Sequence, residues 1–354
     1  MLIEGIFAAV TTPFYADERV YFRKIEANMA RYSRSLLSGM LVLGSTGEAI
    51  MLDDAESRDV LRAAAEATAP EKVLIAGVGR ESVKATIELA EAAAQLKYDA
   101  VLVRPPSYYA RQMSSAAVLH YFRCVADRSP LPVILYNIPK FVPNQILIEV
   151  AAELAQHPNI IAMKDSSGSV ERIYDAVAAT ANAPCRTIPV THAFEAVTAR
   201  MLAQDAQNAA GKVVSVGELA HSAATVVATT PPVPSVKTHS RKVGFQVLTG
   251  SERSILASLQ AGASGAILAF ADFAPQACQE IYQAWKDHDL ALAEERQQRI
   301  MAAGNRIVGE LGIAGIKHAC DFNGYYGGRG RAPLLPLTAE EKAEVEQLLA
   351  EIRN

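Results

Sequence analysis

Short apolar runs alternate along the chain with longer stretches in which apolar residues return every three or four positions. The runs are GIFAAVTTP from Gly5, GMLVLGSTG from Gly39, KVLIAGVG from Lys72, DAVLVRPPS from Asp99, PVILYNIP from Pro132, NIIAMKDSS from Asn159, FQVLTGSE from Phe245 and GAILAF from Gly265. Brief apolar runs between turn residues predict parallel strands covered on both faces. The intervening stretches, such as AESRDVLRAAAEATA and ESVKATIELAEAAAQL, carry the helical period. Asp53 followed by Glu56 resembles a capping box at one helix start. Eight strands, each followed by a helix, predict an α/β fold, a (β/α)8 TIM barrel. An open doubly wound sheet competes; the eight units and the lack of a GxGxxG turn after the first strand favour the barrel.

One interval breaks the rhythm. Residues 182–242 fall where a short loop between the sixth helix and the seventh strand is expected. They contain an Ala-rich helical pattern (HAFEAVTARMLAQDAQNAA), the apolar run KVVSV, a second Ala-rich run, and TTPPVPSVKTHSRK. The Pro, Thr and basic residues of the last read as a linker back to the barrel. The predicted division is a barrel over 1–181 and 243–275, an insertion over 182–242, and a C-terminal helical extension over 276–354. A segment leaving a helix and entering a strand emerges at the barrel's N-terminal face, opposite the face that carries active sites. It therefore reads as a surface insertion without a catalytic role.

Composition narrows the function. The 354 residues are half hydrophobic and one-fifth charged, with a formal net charge of −4. That is an ordinary globular balance with no electrostatic footprint for nucleic acid or a membrane surface. The four cysteines (Cys124, Cys185, Cys278, Cys320) form no Cys-x-x-Cys pair and read as reduced thiols. No apolar stretch approaches the ~20 residues of a spanning helix, and no basic lead precedes the first apolar run. A cytoplasmic protein is expected. The seven histidines show no HxH or HExxH spacing. His192, His221 and His239 share the insertion and read as solvated surface residues, so neither a metal nor a cofactor is expected.

The chemistry starts with Lys164. Strand alternation puts Ala162, Lys164 and Ser166 on one face and Ile161, Met163 and Asp165 on the other. Asp165 is therefore not the lysine's natural partner. A free lysine amine, with a pKa of about 10.4, is almost wholly protonated at neutral pH. Enclosure among apolar groups disfavours the ammonium and leaves a nucleophile for ketones. An inward lysine near the C-terminal end of a barrel strand stands where substrate would sit; the plainer reading is an ammonium reaching solvent. Tyr136, at the end of the fifth strand, is suited to proton transfer, or is a packed aromatic. GSTGE, Gly44 to Glu48, ends the second strand with hydroxyls and N–H donors suited to a carboxylate, although many turns are rich in Gly and Ser. Tyr108 and Tyr109 follow the fourth strand.

GSTGE, PSYY, YNIP and MKDSSG, in that order, resemble the pyruvate-dependent class I aldolases of the dihydrodipicolinate synthase / N-acetylneuraminate lyase family. The runs RQMSSAAVLHYF, QHPNIIAMKDSSG and GYYGGRGRAPL look most like the 4-hydroxy-2-oxoglutarate aldolases within it. The resemblance implies Lys164 as the Schiff-base lysine and Tyr136 as general acid/base. It implies Ser45 and Thr46, with Gly44, as holders of the pyruvyl carboxylate, and Ser45 as the link from Tyr136 to Tyr108. It further implies that Tyr108 completes the neighbouring site of a homodimer or homotetramer, and that Ser166 and Gly250 lie near the distal part of the substrate. The expected partners are a 2-oxo acid (pyruvate) and an aldehyde. Three departures stand out, the first being the insertion over 182–242, which is foreign to both groups. Phe141, preceded by Lys140, occupies the place of the arginine that dihydrodipicolinate synthases carry after YNxP. Thr46 stands where the hydroxyoxoglutarate aldolases have asparagine. The rival readings are a dihydrodipicolinate synthase acting on aspartate semialdehyde, a metal-dependent aldolase, and a non-catalytic pyruvate-binding regulatory protein.

Overall fold

A computed structural model describes residues 1–191, 195–210 and 237–352. Six parallel strands come first: β1 (Gly5–Ala9), β2 (Gly39–Val42), β3 (Val73–Gly77), β4 (Ala100–Val103), β5 (Val133–Asn137) and β6 (Ile160–Asp165). Their crossover helices are α1 (Phe22–Ser33), α2 (Asp54–Ala67), α3 (Val83–Gln95), α4 (Ser115–Arg128), α5 (Ile148–Leu154) and α6 (Val170–Thr180). After the insertion, which contributes β7 (Arg186–Thr191), α7 (Ala199–Ala210) and β8 (Thr238–Val243), the barrel resumes with β9 (Gln246–Thr249), α8 (Ile255–Gln260) and β10 (Gly265–Leu268). The closed barrel runs β1-β10-β9-β6-β5-β4-β3-β2, so β9 docks directly on β6 and the insertion leaves the ring unbroken. This is the (β/α)8 barrel that the apolar runs predict. The expected capping box is present at α2, where Asp53 and Glu56 each bond the other's backbone N–H.

Alternation along the strands divides the core. Phe7, Ala9, Leu41, Ile75, Ala100, Leu102, Ile134, Ala162, Leu248 and Ile267 fill the barrel interior. Ile6, Ala8, Met40, Val101, Val133 and Met163 face the helices. One sequence expectation fails on this point: Ile161 joins the inner group beside Ala162 instead of lying with Met163. The register explains it. Val133 pairs with Ile160 and Ile134 with Ala162, so Ile161 is the extra residue of a β-bulge. Its carbonyl is taken up by the guanidinium of Arg186, 3.2 Å away.

The segment THSRKV also departs from expectation. It is strand β8, antiparallel to β7, rather than a linker. Its exposed Thr238, Ser240 and Lys242 alternate with more covered His239, Arg241 and Val243, a period-two pattern that the basic residues mask. Ile188 and Val190 of β7 and Val243 of β8 pack on Leu2. Arg241 pairs with Glu4 at 2.9 Å, the Ala199 N–H donates to Asp99 Oδ1 at 2.8 Å, and Arg200 donates to the carbonyls of Lys72 and Lys97. Glu4, Lys72, Lys97 and Asp99 all precede strands, so these contacts lie at the N-terminal end of the barrel. KVVSV, the second Ala-rich run, His192 and His221 lie outside the described residues.

Beyond β10, the short helix α9 (Phe270–Phe273) leads into α10 (Pro275–Lys286), which has Pro at its first turn and packs on β1 and α8 as the last helix of the ring. α11 (Leu290–Ala303), a π-helical stretch (Gly304–Glu310), α12 (Gly312–Phe322) and α13 (Ala339–Leu348) form the extension. Among the described residues no helix is long and apolar enough to cross a membrane.

Candidate active site

Lys164 and Tyr136 are direct partners in the β5–β6 ladder. Parallel register makes their side chains neighbours on the same, inward face, and both are buried, Lys164 to 4% exposure. The Lys164 Nζ lies 3.5 Å from the Tyr136 hydroxyl and 4.5 Å from the ring centroid. On the other side Lys164 pairs with Leu248 of β9. The nitrogen thus sits inside the barrel mouth, not among the surrounding helices.

Asp165 points the opposite way and is fully engaged. Its carboxylate accepts from Asn137 Nδ2 at 2.8 Å, Arg172 Nε at 2.7 Å and the Ser167 N–H at 2.9 Å. This network ties the ends of β5 and β6 to α6, which holds the Lys164 backbone in place without offering the amine a counter-ion.

The turn after β2 reaches the same spot. Ser45 Oγ is 3.4 Å from the Tyr136 hydroxyl, giving a polar chain Ser45–Tyr136–Lys164 through the apolar mouth. Thr46 is buried beside it, and Gly44 packs tightly over Leu41. From β9 comes Gly250, whose N–H donates to the Asp165 carbonyl at 2.7 Å. A Cβ at Gly250 would fall 1.9 Å from Ser166 Oγ and 3.0 Å from Lys164 Cε, so only glycine fits. Ser166 and Gly250 are therefore brought to Lys164. Tyr108 is not: its ring is 80% exposed and edge-on to Tyr109 at 5.2 Å, and within one chain it makes no hydrogen bond to Ser45 or Tyr136.

The structure adds residues that sequence reasoning passed over. Glu48, last of the GSTGE turn, is buried against Lys317 of α12, with Oε1 2.6 Å from Nζ. A signal for this existed: Lys317 lies one position after Ile316 and three before Cys320, on the apolar stripe of GIAGIKHACDF. Glu252, two residues after Gly250, is also buried, and burial pushes its carboxyl up to about 7. Lys140, which follows the YNIP turn, donates to the Gly309 carbonyl at 2.9 Å. Among the described residues no group of three or more His, Cys, Asp or Glu side chains is placed to hold a metal ion.

Known proteins resemble the chain over nearly its whole length. The family model described as the dihydrodipicolinate synthetase family matches residues 2–184 and 214–352. A 4-hydroxy-tetrahydrodipicolinate synthase of Acidiphilium cryptum is 26% identical over 97% of this chain and 96% of its own length. A "probable 4-hydroxy-2-oxoglutarate aldolase, mitochondrial" of Emericella nidulans is 28% identical over 99% and 95%. Among solved structures, YagE from E. coli K12, a prophage protein of the dihydrodipicolinic acid synthase family crystallised with pyruvate, superposes with a TM-score of 0.77 at 25% identity, covering 99% of both chains. With the family model matching barrel and C-terminal helices alike, this chain belongs to the dihydrodipicolinate synthetase family of aldolases and lyases.

Proposed function

We propose that this protein is a pyruvate-dependent class I aldolase/lyase that forms a Schiff base on Lys164. It would cleave a 4-hydroxy-2-oxo acid, resembling 4-hydroxy-2-oxoglutarate, to pyruvate and an aldehyde, or run the reverse condensation. The observation that carries this reading is the enclosed Lys164 amine with the Tyr136 hydroxyl 3.5 Å away and Ser45 beyond it.

In the forward direction the amine nitrogen of Lys164 attacks the C2 ketone, and Tyr136 passes a proton to the departing carbinolamine hydroxyl, which leaves as water. The resulting iminium draws electrons from the C3–C4 bond as Tyr136 takes the C4 hydroxyl proton. The aldehyde departs and the electron pair rests in an enamine. Protonation at C3 and hydrolysis release pyruvate and the amine. The iminium is the electron sink, so the sequence needs no metal. Ser45 and Thr46 hold the pyruvyl carboxylate by hydroxyl and N–H donors, while Gly250 and Ser166 leave room for the distal part of the substrate. Tyr108, exposed in a single chain, serves the neighbouring site of a homodimer or homotetramer and closes the relay through Ser45. A cytoplasmic location fits four cysteines that are all unpaired.

Turnover of a panel of 4-hydroxy-2-oxo acids, with released pyruvate reduced by lactate dehydrogenase and NADH, tests the reading. Cleavage of at least one such acid is expected. Activity confined to condensation of pyruvate with aspartate semialdehyde would move the assignment to a dihydrodipicolinate synthase. Pyruvate binding without turnover of any substrate would leave a regulatory protein.

A further inference from the structure

One buried ion pair has no part in the chemistry above. The Lys317 ammonium donates to the Thr12 carbonyl at 2.8 Å and the Arg329 carbonyl at 2.7 Å, and pairs as an ion with Glu48 Oε1 2.6 Å away. Both side chains are 1% exposed. The second oxygen of Glu48 accepts from the Arg331 N–H at 2.9 Å, and the Arg331 guanidinium grips Glu56, at the start of α2, through two bonds. Thr12 in turn donates its hydroxyl to the Gly47 carbonyl at 2.7 Å.

Glu48 occupies the left-handed region, with φ 53° and ψ 33°, which a non-glycine residue holds only when its surroundings impose it. The surroundings here are residues of the C-terminal extension. Gly47 and Glu48 are therefore held from outside the barrel, one through Thr12 and the other directly, immediately after Ser45 and Thr46. Two desolvated charges seldom stabilise a fold more than an apolar pair of the same shape, but they restrict geometry. Such a restriction matters where donors must meet a carboxylate.

We propose that Lys317 is a positioning residue for substrate: through Glu48 and Thr12 it sets the Ser45–Thr46 turn at the height that receives the oxo-acid carboxylate, making the C-terminal helices part of the binding site. The inference rests on reading that turn as the carboxylate cradle of the proposed aldolase.

The test is borohydride trapping of the pyruvyl adduct as a function of pyruvate concentration, alongside thermal melting. Three variants are compared: Lys317→Met, Lys317→Met/Glu48→Gln, and Thr12→Val. In Lys317→Met the half-saturating pyruvate concentration should rise about tenfold, the scale of a displaced binding group, with the labelled fraction at saturation unchanged. The double variant removes both buried charges; its melting temperature should recover while its half-saturation stays raised. Thr12→Val adds no unpaired charge and should raise half-saturation severalfold. Recovery of both quantities together in the double variant would show a merely structural role and overturn the proposal. If Lys317→Met does not fold, wild-type half-saturation in either of the other two variants overturns it as well. Absence of any adduct in the unaltered protein would instead remove the aldolase reading itself, and this inference with it.

Discussion

Glu252 offers a stability prediction that can be worked from its surroundings. It is 4% exposed and packs its side chain on Gly304, where a Cβ would fall 2.8 Å from Glu252 Cγ. Arg253 and Lys140 are the cations near it, and the buried Cys278 thiol lies on the helix side. Desolvation outweighs both cations and raises the carboxyl from 4.5 to about 7. A carboxyl raised by folding is held neutral, so its contribution is fully present below pH 4.5 and is lost as pH climbs through 7. At ~1.4 kcal/mol per pH unit, the interval between those two values corresponds to about 3 kcal/mol. Glu252→Gln keeps the shape and removes the titration. Its stability should equal the unaltered protein's near pH 4.5 and exceed it by up to about 3 kcal/mol at pH 8. Urea unfolding followed by the fluorescence of Trp285, the single tryptophan, reads this at both pH values. Parallel stability curves for the two proteins across that range would refute the reasoning.

Two further outcomes follow from the site. Tyr136→Phe removes the proton carrier but not the amine, so kcat should fall by about 10²- to 10⁴-fold while borohydride still fixes pyruvate on the protein; steady-state rates and intact mass measure both. Gly250→Ala puts a methyl group into Ser166 Oγ and against Lys164 Cε and should abolish detectable turnover; adding Ser166→Gly, which clears the closest clash, should restore part of it.

Much of the fold could be read from local patterns. The eight strands are short apolar runs between turn residues, and β9 is recognisable as a barrel strand although the insertion separates it from β6. The inward direction of Lys164 follows from alternation, and so does the outward engagement of Asp165. What escaped the sequence depends on contacts between distant segments. The bulge that turns Ile161 inward is a matter of register between β5 and β6, which no single strand encodes. Strand β8 is hidden because THSRKV is polar, and its β character arises from pairing with RTIPVT. The Glu48–Lys317 pair joins residues on β2's turn and on α12, and a lysine on a helical apolar stripe does not reveal its partner. Tyr108 marks the converse limit, since the role implied for it concerns a second subunit and its ring is exposed in one chain.

The central claim is that the amine of Lys164, shut into the barrel mouth, condenses with an oxo acid. Incubation with pyruvate and sodium borohydride, followed by proteolysis and mass spectrometry of the fragments, addresses it directly. The account predicts a reduced pyruvyl group on the peptide containing Lys164 and on no other, and its disappearance in Lys164→Met. An adduct on a different lysine, or an unmodified chain under conditions that label a known aldolase of this type, would contradict it.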